Sequence, residues 1–483
     1  MIDRPNSKAI DRKRRLALPA ADLPIREPAE RANDFRESYN DWDLKAARAE
    51  AERCIQCPAA PCVKACPVGN DIPYALWLLE HGDVAAAASV FRSTSTMPEI
   101  CGRVCPQSEL CEGACVYAKQ GEPVIPIGRL EAFVADRAPQ PPLERLQRSG
   151  HRAAVVGAGP AGLTVAERLV RQGHEVTVFD AWPAGGGVLR YGIPSFKMAH
   201  RLVQKKVDWL VTSGVSFVFD VFVGPDLTVD DLLDRGFETV FLGIGAGVPR
   251  APSVEGSELP GVYQATPFLV RANVEPELRP MEMSEPARVG RRVAVVGGGD
   301  TAMDCLRTSL RLGAEKVTCW YRRTEREMPG NERDRAFASE EGAFFEWLAQ
   351  PVRLIAGPDG RVGAMECIRM RLDEPDASGR RRPVEIPGSG FMVEVDTVVL
   401  ALGYLADRDT VASVPDLDVD DGSLITIDPE SGSTSREGVF AGGDAVLGPA
   451  LVVTAVEQGQ RAAQTMHGYM TGRDARVPVG WPL

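Results

Sequence analysis

The strongest constraint on the fold is a strand, a glycine-rich turn, a helix and a second strand that run from Arg152 to Asp180. The turn consists of Gly157, Gly159, Pro160, Ala161 and Gly162. In such a G-x-G-x-x-G turn the first glycine permits the bend, the second lets a pyrophosphate approach, and the third lets helix and strand pack closely. Asp180 ends the second strand, where an acid accepts from a ribose hydroxyl. This unit predicts a dinucleotide site; the alternative is a glycine turn without a ligand.

A second unit with the same rhythm begins at Arg291 and carries the turn V-V-G-G-G-D-T-A-M-D-C. The residues assigned to its nucleotide are Gly297, Gly299, Asp300 and Thr301. Met303 stands where the third glycine is usual, so we expect helix and strand to lie slightly further apart there. The second strand ends in Arg322 and Arg323, and a guanidinium binds the 2′-phosphate that an acid would repel. The unit therefore predicts an NADP(H) site, with Arg326 as a further phosphate contact; the alternative is that these arginines face solvent.

A third patch, from Thr397 to Ala445, ends in G-V-F-A-G-G-D-A. Two nucleotide sites in one chain suggest FAD in the first and NADPH in the second. The pattern G-V-F-A-G-G-D is similar to the second signature of flavoprotein reductases, which implies that Gly443 and Asp444 lie at the flavin and that Asp444 contacts its ribityl chain. A helix is predicted over 451–469.

Eight of the eleven cysteines form two quartets in a short N-terminal stretch. The quartets are Cys54, Cys57, Cys62 and Cys66, then Cys101, Cys105, Cys111 and Cys115. Thiolates are soft anionic donors that suit iron–sulfur clusters, and Cys66-Pro67 keeps the end of the bacterial ferredoxin pattern. Disulfides or structural zinc are the alternatives. Electron transfer is preferred because it explains why the quartets accompany two nucleotide sites. The three other cysteines are predicted to be core residues.

These features predict an α/β fold with two Rossmann-like dinucleotide-binding domains, the NADPH domain being inserted in the FAD domain, and an N-terminal α-helical iron–sulfur domain. The expected boundaries are 1–145 for an N-terminal arm and the helical domain with two [4Fe-4S] clusters, 146–286 and 396–483 for the FAD domain, and 287–395 for the NADPH domain. Within the first of these, residues 1 to about 35 are expected to form an extended arm over another surface or a loose tail. Helices are expected over 41–53 and in the alanine-rich stretch 74–91.

Bulk properties exclude several classes of protein. The net charge of −12 over 483 residues argues against nucleic acid or an anionic membrane as the main partner. No apolar run approaches the about 20 residues of a membrane span, and the N-terminal sequence lacks the apolar segment of a secretory signal. We therefore expect a cytoplasmic protein with no nucleic-acid or membrane partner.

The chain resembles the small (β) subunits of bacterial NADPH-dependent glutamate synthases over nearly all of residues 54–468. The matching stretches are C-G-R-V-C-P-Q-x-x-L-C-E-G-A-C, I-G-R-L-E, V-V-G-A-G-P-A-G-L, G-G-G-V-L-R-Y-G-I-P-S-F-K-M, V-V-G-G-G-D-T-A-M-D-C, W-Y-R-R and V-F-A-G-G-D. Related modules occur in dihydropyrimidine dehydrogenase and in NADPH:ferredoxin oxidoreductases. The resemblance adds Gly187, Leu189 and Arg190 to the flavin site.

The related dehydrogenase pattern implies interleaved ligation of two [4Fe-4S] clusters. Transferred by position, one cluster has as its ligands Cys54, Cys57, Cys62 and Cys115. The other takes three thiolates, Cys66, Cys105 and Cys111. Its fourth ligand is either Glu131, which stands at the position of the relative's fourth ligand, or Cys101, which is chemically the better donor because it is a thiolate. Glu131 is slightly preferred.

The resemblance further implies the electron-input subunit of a hetero-oligomer. Hydride passes from NADPH to FAD, and single electrons pass through the clusters to a large (α) subunit that carries FMN and makes L-glutamate from 2-oxoglutarate and glutamine. No catalytic side chain beyond the cofactors is required. The alternatives are an NADPH:ferredoxin oxidoreductase, a bifurcating transhydrogenase subunit, or a zinc-stabilised scaffold without activity. The histidines show no ligand spacing, and no role was assigned to Lys197, Glu457 or Gln458.

Overall fold

The computed structural model describes residues 2–6, 10–143, 147–224, 227–250, 254–376 and 379–473. The N-terminal helices are α1 (Arg12–Leu16), α2 (Pro28–Arg31), α3 (Leu44–Glu52), α4 (Pro61–Lys64), α5 (Ile72–Glu80), α6 (Val84–Thr94), α7 (Pro98–Val104), α8 (Val116–Gln120) and α9 (Ile127–Arg137). The carboxylates of Asp43, Asp71 and Asp83 accept from first-turn N–H groups of α3, α5 and α6. The alanine-rich stretch forms two helices, because the chain turns between them at Gly82 with φ +86°.

The remainder alternates strands and helices. In chain order these are β1 (Arg152–Val156), α10 (Pro160–Val170), β2 (Glu175–Phe179), α11 (Val188–Tyr191), α12 (His200–Thr212), β3 (Ser216–Val218), α13 (Val229–Asp234), β4 (Thr239–Leu242), β5 (Val248–Pro249), β6 (Val262–Gln264), α14 (Ala265–Asn273), β7 (Arg292–Val296), α15 (Asp300–Arg311), β8 (Lys316–Tyr321), α16 (Glu332–Glu340), β9 (Phe344–Trp347), β10 (Ala349–Ala356), β11 (Val362–Pro375), β12 (Arg381–Glu385), β13 (Phe391–Glu394), β14 (Thr397–Leu400), β15 (Tyr404–Leu405), α17 (Arg408–Ala412), β16 (Val439–Ala441), α18 (Asp444–Leu447) and α19 (Val452–Thr471). Short 3₁₀ turns cover Pro276–Leu278, Met281–Met283 and Glu325–Glu327.

The first nucleotide domain is built on a parallel sheet in the order β16-β4-β1-β2-β3. Strand β1 lies at its centre, where Ala153 pairs with Val176 on one side and with Thr239 on the other. Its valine- and alanine-rich residues are buried, as in sheets covered by helices on both faces. Helix α19 packs closely on α10 at Gly459, where a Cβ would stand 2.6 Å from the Ala161 carbonyl oxygen.

The second nucleotide domain has its own parallel sheet in the order β6-β14-β7-β8-β9. Strands β6 and β14 lie outside the predicted range 287–395, so this sheet is wider than the predicted insert. The physical reason is that β7 needs a parallel neighbour on each side, and Thr397–Leu400 supplies one of them. The predicted return of the first domain at 396 is therefore wrong for its sheet, which resumes at β16. The predicted boundary at 145/146 lies outside the described residues.

A four-stranded antiparallel sheet adjoins the second domain. Strand β11 pairs with β10, β12 and β13. Phe391 of β13 lies over Trp320 of β8, with ring centroids 6.3 Å apart. This sheet therefore packs beside the end of β8, close to the predicted phosphate site.

The N-terminal segment lies over the rest of the protein. We call residues 26–42 the strap. The Ser38 N–H donates to the Phe196 carbonyl of the first nucleotide domain at 2.9 Å, and Arg311 of the second donates to the Asp34 carbonyl at 2.8 Å. Glu37 pairs with Arg103 of the helical domain at 2.9 Å. The strap therefore contacts all three domains.

The helical domain has its own apolar core, but α7 also enters the core of the first nucleotide domain. Met97, Ile100 and Cys101 are buried together with residues of β1, α10 and α19. The Lys206 ammonium of α12 donates to the Thr96 carbonyl at 2.6 Å and pairs with Glu167 of α10. Among the described helices, none combines the length and the apolar character needed to cross a membrane.

Candidate functional site

In the first glycine turn the surrounding backbone requires glycine at two of the three positions and not at the third. Gly157 has φ +98°, and a Cβ there would stand 2.3 Å from the Gly243 carbonyl oxygen. A Cβ at Gly162 would stand 1.9 Å from the Gly157 carbonyl oxygen. Gly159 has an ordinary φ of −79°, and a Cβ would meet no atom within 4 Å. Neither backbone nor packing therefore requires glycine at 159, which leaves open space at the N-terminus of α10 for a pyrophosphate.

Asp180 lies at the end of β2 and contacts this turn. Its carboxylate accepts from the Ala158 N–H at 2.6 Å and from the Trp182 N–H at 2.9 Å. Burial raises the pKa of Asp180, and these two donors lower it in part. The acid thus holds the glycine turn in place at the position where the sequence predicts ribose binding.

The segment at α11 places its predicted residues in different surroundings. Gly187 has φ +51°, and a Cβ there would stand 2.9 Å from the Gly159 Cα, so this turn closes over the glycine turn. Leu189 is fully buried in the core. The Arg190 guanidinium is also buried and donates to the Gly185 carbonyl at 3.0 Å and to Gln204 at 2.7 Å. Gly187 faces the site, whereas Leu189 and Arg190 support the segment that carries it.

Gly443 and Asp444 meet the same turn from the C-terminal side. A Cβ at Gly443, where φ is +74°, would lie 3.1 Å from the Ala161 Cβ. The Gly443 N–H donates to the Gln458 side-chain oxygen at 2.6 Å. Burial raises the pKa of Asp444 to about 6, and one donor, the Ala450 N–H, opposes the shift. Gln458 of α19 is a site residue without a sequence signal, since only the fold brings it to Gly443.

The second glycine turn repeats this arrangement. A Cβ at Gly297 would stand 2.2 Å from the Ala401 carbonyl oxygen, whereas one at Gly299 would meet nothing within 4 Å. The Asp300 carboxylate accepts from the Asn331 N–H at 2.7 Å, and Thr301 is one of the groups that lower the pKa of Tyr404 against the effect of burial. Met303 is fully buried and fills the place of the third glycine.

The two arginines after β8 have different environments. Arg322 is exposed, although partial burial and the charge of Arg323 lower its pKa. Arg323 is only 5% exposed. It donates to the Arg381 carbonyl at 2.7 Å and pairs with Asp376 at 2.8 Å. The structure thus brings Arg322, and not Arg323, to the surface beside the turn; Arg326 is exposed as well.

An open cavity of about 770 Å³ lies beside the second turn. It is lined by residues of two domains: Ser108, Glu109, Thr324, Glu325, Arg326, Met328, Gly330, Glu332 and Arg335. A Cβ at Gly330 would lie 3.0 Å from the Gly298 carbonyl oxygen, which joins the cavity to the turn. The loop between Cys105 and Cys111 therefore forms one wall of the space next to the predicted NADPH site.

Four thiols of the helical domain act on one another electrostatically. We call Cys54, Cys57, Cys62 and Cys115 the first thiol set. Burial, and then the charges of Cys62, Cys57 and Cys115, raise the pKa of Cys54 to about 12. The pKa of Cys62 is raised to about 12 by burial and by Cys115 and Cys57. The set draws on both sequence quartets, as the resemblance implies.

The second thiol set is Cys66, Cys105 and Cys111. Burial raises the pKa of Cys66 and Cys111, and the charge of Glu131 raises it further. The pKa of Cys105 is raised by a hydrogen bond with Cys101, by burial and by Glu131. Glu131 thus acts on all three thiols, and burial raises its own pKa to about 8. Its carboxylate accepts from Asn70 at 3.1 Å.

The donor chemistry of both sets suits iron–sulfur clusters. All eleven cysteines are free thiols. In the part of the chain that the structure describes, no group of three or more histidine, cysteine or carboxylate side chains is arranged to hold a metal ion. The assignment therefore rests on donor chemistry, since soft thiolates are the ligands that iron–sulfur clusters use.

Three of the histidines lie together, which the sequence did not indicate. His174 Nε2 lies 2.8 Å from His467 Nδ1, and Ser149 Oγ lies 2.8 Å from His174 Nδ1. The His151 ring is 5.8 Å from that of His174 and pairs with Glu238. The group joins the start of β1 to the end of α19 and contains no predicted site residue.

Comparison with known families assigns both parts of the chain. Residues 31–141 match the family described as dihydropyrimidine dehydrogenase domain II, 4Fe-4S cluster. Residues 151–459 match the family described as pyridine nucleotide-disulphide oxidoreductase.

Among curated relatives, the glutamate synthase [NADPH] small chain of Escherichia coli K12 is 38% identical over 464 residues, which are 94% of this chain and 98% of that protein. The same-named protein of Azospirillum brasilense is 38% identical over 95% of this chain and 96% of its own length. The putative oxidoreductase AegA of Escherichia coli K12 is 40% identical over 93% of this chain and 69% of its own length.

Solved structures match in fold alone. FprA of Mycobacterium tuberculosis in complex with NADPH has a TM-score of 0.56 at 18% identity, covering 67% of this chain and 85% of its own. Lactococcus lactis thioredoxin reductase has a TM-score of 0.51 at 20% identity, covering 67% and 99%. The chain belongs to the pyridine nucleotide-disulphide oxidoreductases and, within them, to the family of the glutamate synthase [NADPH] small chains. The predicted oxidoreductase class and the predicted fold class are thereby confirmed.

Proposed function

We propose that this oxidoreductase is the electron-input subunit of a glutamate synthase. NADPH binds the second nucleotide domain, FAD binds the first, and two [4Fe-4S] clusters are held by the helical domain. When bound, these groups supply a hydride donor, a hydride acceptor and single-electron carriers. The chain itself binds, orients and shields them, and no acid–base side chain is required.

One observation carries the proposal: Gly159 and Gly299 occupy equivalent positions in the two turns, and we call them the open glycines because a Cβ at either would meet no atom within 4 Å. A Cβ at the preceding glycine of each motif, Gly157 or Gly297, would instead collide with backbone. Each has an ordinary φ, and each stands at the N-terminus of a helix whose N–H groups are available to an anion. Two empty spaces of this kind in a single chain favour two dinucleotides rather than one.

The residues of the nucleotide sites have separate tasks in this proposal. Gly159 and Gly187 make room for the FAD pyrophosphate, and Asp180 and Asp444 hold its sugar and ribityl hydroxyls. Gly299 makes room for the NADPH pyrophosphate. The exposed guanidinium of Arg322 binds the 2′-phosphate, since it is free of the contacts that hold Arg323.

The thiol sets define the two cluster sites. Each set supplies the ligands that the resemblance implies, with Glu131 completing the second at the position that the resemblance gives it. Support for the order of electron transfer comes from the packing of one thiol: Cys105 of the second set packs against the core of the first nucleotide domain, whereas Cys111 and three residues of the first set, Cys54, Cys62 and Cys115, belong to the helical core. We infer that electrons pass from FAD to the second set and then to the first.

The acceptor is a large subunit that carries FMN and makes L-glutamate from 2-oxoglutarate and glutamine, in a cytoplasmic hetero-oligomer. The names of the relatives support a glutamate synthase with a second, large chain, and the FMN, the substrates and the location rest on the resemblance. A second candidate, a reductase that serves another acceptor, is favoured by one finding: AegA and UacF, both called putative oxidoreductases, match at 40% and 39% identity.

Purification of the tagged chain from its own host tests the acceptor. A large flavoprotein that co-purifies and makes glutamate when given NADPH, glutamine and 2-oxoglutarate supports the synthase. Reduction of synthetic acceptors with a preference for NADPH, but without such a partner and without glutamate formation, supports the second candidate. Equal rates with NADH and NADPH would contradict the phosphate site at Arg322.

A further inference from the structure

A single lysine connects the two nucleotide domains. Lys197 lies in the segment between α11 and α12 of the first domain, just after the turn that closes over Gly159. Its ammonium group is 3.1 Å from Asp304 and 2.9 Å from Asp334. Both acids belong to the second domain, Asp304 on α15 and Asp334 on α16. The lysine side chain is 14% exposed, and the acids are 7% and 11% exposed.

The position of Asp304 links this contact to the nucleotide site. It lies one helical turn after Asp300, on the helix whose N-terminus faces the open space at Gly299. Lys197 lies six residues after Tyr191, the last residue of α11. It belongs to the same segment that presents Gly187 to the first turn. The ion pairs therefore join the two elements that would carry the hydride donor and the hydride acceptor.

The charges around Lys197 are balanced. Asp300, Asp304 and Asp334 act on Lys197, and Arg307 and Arg333 act in turn on Asp334. Burial opposes the charged form of Lys197, but the two acids raise its pKa. The pKa of Asp334 is lowered by Lys197 and Arg307 against burial, whereas burial raises that of Asp304 to about 7. Removing one partner of such a buried group leaves an uncompensated charge.

Other contacts hold the same two domains together. Phe196, next to Lys197, lies under the guanidinium groups of Arg307 and Arg311 at 4.5 Å and 4.0 Å. Arg307 also donates to Ser38 of the strap at 2.7 Å. Since these contacts do not include Lys197, its loss is expected to alter how the domains meet without separating them.

We propose that Lys197 is a positioning residue, which through Asp304 and Asp334 sets the orientation of the NADPH domain for hydride transfer. The inference rests on the proposed transfer from NADPH to FAD. Hydride transfer needs the reacting atoms about 3–3.5 Å apart, and a misplacement of about 1 Å can reduce a rate about 100-fold. A buried, charge-balanced contact between the two carriers meets this need, because it fixes their separation without touching either cofactor.

The test compares Lys197→Met, Lys197→Arg and the double variant Lys197→Met/Asp304→Asn with Lys205→Met. Lys205 is an exposed lysine of the neighbouring helix and serves as the matched control. Anaerobic stopped-flow flavin reduction over a range of NADPH concentrations gives the limiting rate and the dissociation constant. Hydrogen–deuterium exchange of 193–200, 300–311 and 332–340 in nucleotide-free protein reports the contact without any turnover.

For Lys197→Met we expect the limiting rate to fall about 10- to 100-fold, the dissociation constant to change less than about threefold, and exchange to rise in all three segments. Lys197→Arg should recover much of the rate. The double variant should recover part of the thermal stability, because Asp304 no longer carries an unpaired buried charge and Asp334 keeps Arg307 at 3.8 Å, but it should not recover the rate. If the double variant recovered both the rate and the stability, Lys197 would have a merely structural role and the proposal would be overturned. Unchanged exchange in Lys197→Met would also overturn it.

Failure of the proposed function has a different signature. If the unsubstituted protein does not transfer hydride from NADPH to its flavin, the proposed function fails. The exchange data would then still decide whether Lys197 holds the two domains together.

Discussion

Arg323 pairs with Asp376 at 2.8 Å and thereby leaves its neighbour Arg322 as the exposed cation at the end of β8. Asp376 follows β11, 53 residues further along the chain. The adjacent arginines thus differ in their surroundings: Arg323 holds Asp376 against the end of β8, and Arg322 is exposed.

We predict that Arg322→Ala raises the KM for NADPH about 10- to 100-fold, because a charge-assisted contact contributes about 1.5–3 kcal/mol. The KM for NADH should stay within about twofold. Arg323→Ala should instead lower thermal stability with a smaller effect on KM. Steady-state assays with both nucleotides check this, with Arg201→Ala as an exposed arginine control. An equal effect of Arg322→Ala on NADH and NADPH would contradict the assignment.

The open glycines give a second prediction. Gly159→Ala should fold normally and lose most of its FAD, because the added Cβ enters the space reserved for the pyrophosphate. Gly299→Ala should keep FAD and bind NADPH at least about tenfold more weakly, a loss of about 1.4 kcal/mol or more. Flavin content and nucleotide titrations measure both effects.

Gly162→Ala is the contrasting variant in this series. Its Cβ would stand 1.9 Å from the Gly157 carbonyl oxygen, so we expect misfolding rather than selective loss of a cofactor. If Gly159→Ala retained full flavin occupancy, the open space would have another purpose.

The glycine turns, the strands around them and the cysteine quartets were predictable because their physical requirements are local. What the sequence does not indicate is what depends on distant partners. The buried contacts of Arg323 are of this kind, since its partners follow 53 and 58 residues later, and its phosphate contact stays a prediction. Gln458 meets Gly443 only through the packing of α19, and Lys197 meets Asp304 across 107 residues. The sheet strand β14 was assigned to the wrong domain because its valine-rich sequence suits either parallel sheet.

Cysteine variants should separate the two cluster sites. In Cys54→Ser we expect loss of one cluster, with flavin reduction by NADPH unchanged and a second cluster still reducible. In Cys66→Ser we expect the flavin to be reduced while electrons no longer reach the remaining cluster. EPR spectra after NADPH addition, together with iron analysis, check both, and Cys367→Ala is the control for a buried cysteine outside the sets. Electron flow to the first set in Cys66→Ser would contradict the proposed order.

The fourth ligand of the second cluster has a direct test. We predict that Glu131→Ala changes the EPR signal or the potential of one cluster, whereas Cys101→Ala leaves both clusters intact. The reason is that Glu131 stands at the position of the fourth ligand in the related dehydrogenase pattern, and its side chain is buried. The opposite pattern would assign the ligand to Cys101.

The histidine group predicts a pH dependence of stability. Burial, followed by the charges of His467 and His151, lowers the pKa of His174 to about 4, and burial also lowers that of His467. Between pH 6.5 and about 4 the unfolded chain therefore binds more protons than the folded one, so stability is complete above pH 6.5 and falls as the pH decreases. We expect a loss of about 1–3 kcal/mol over this window.

His174→Gln should reduce this pH dependence, because the amide keeps hydrogen-bonding groups but does not titrate. Thermal unfolding midpoints at one scan rate, at pH 7.5 and pH 5, measure the effect. His81→Gln, a change at an exposed histidine, should leave the dependence unchanged. An identical pH dependence in His174→Gln would contradict the prediction.

The most direct test of the electron-input account is an anaerobic titration of the purified protein with NADPH, followed by optical and EPR spectra, with iron and sulfide determined on the same sample. We predict about eight iron and eight sulfide per chain, as two [4Fe-4S] clusters require, bleaching of a bound flavin, and cluster signals that appear as the flavin is reduced. A protein that contains flavin but no iron, with zinc at the cysteines and no EPR signal from a reduced cluster, would contradict the account.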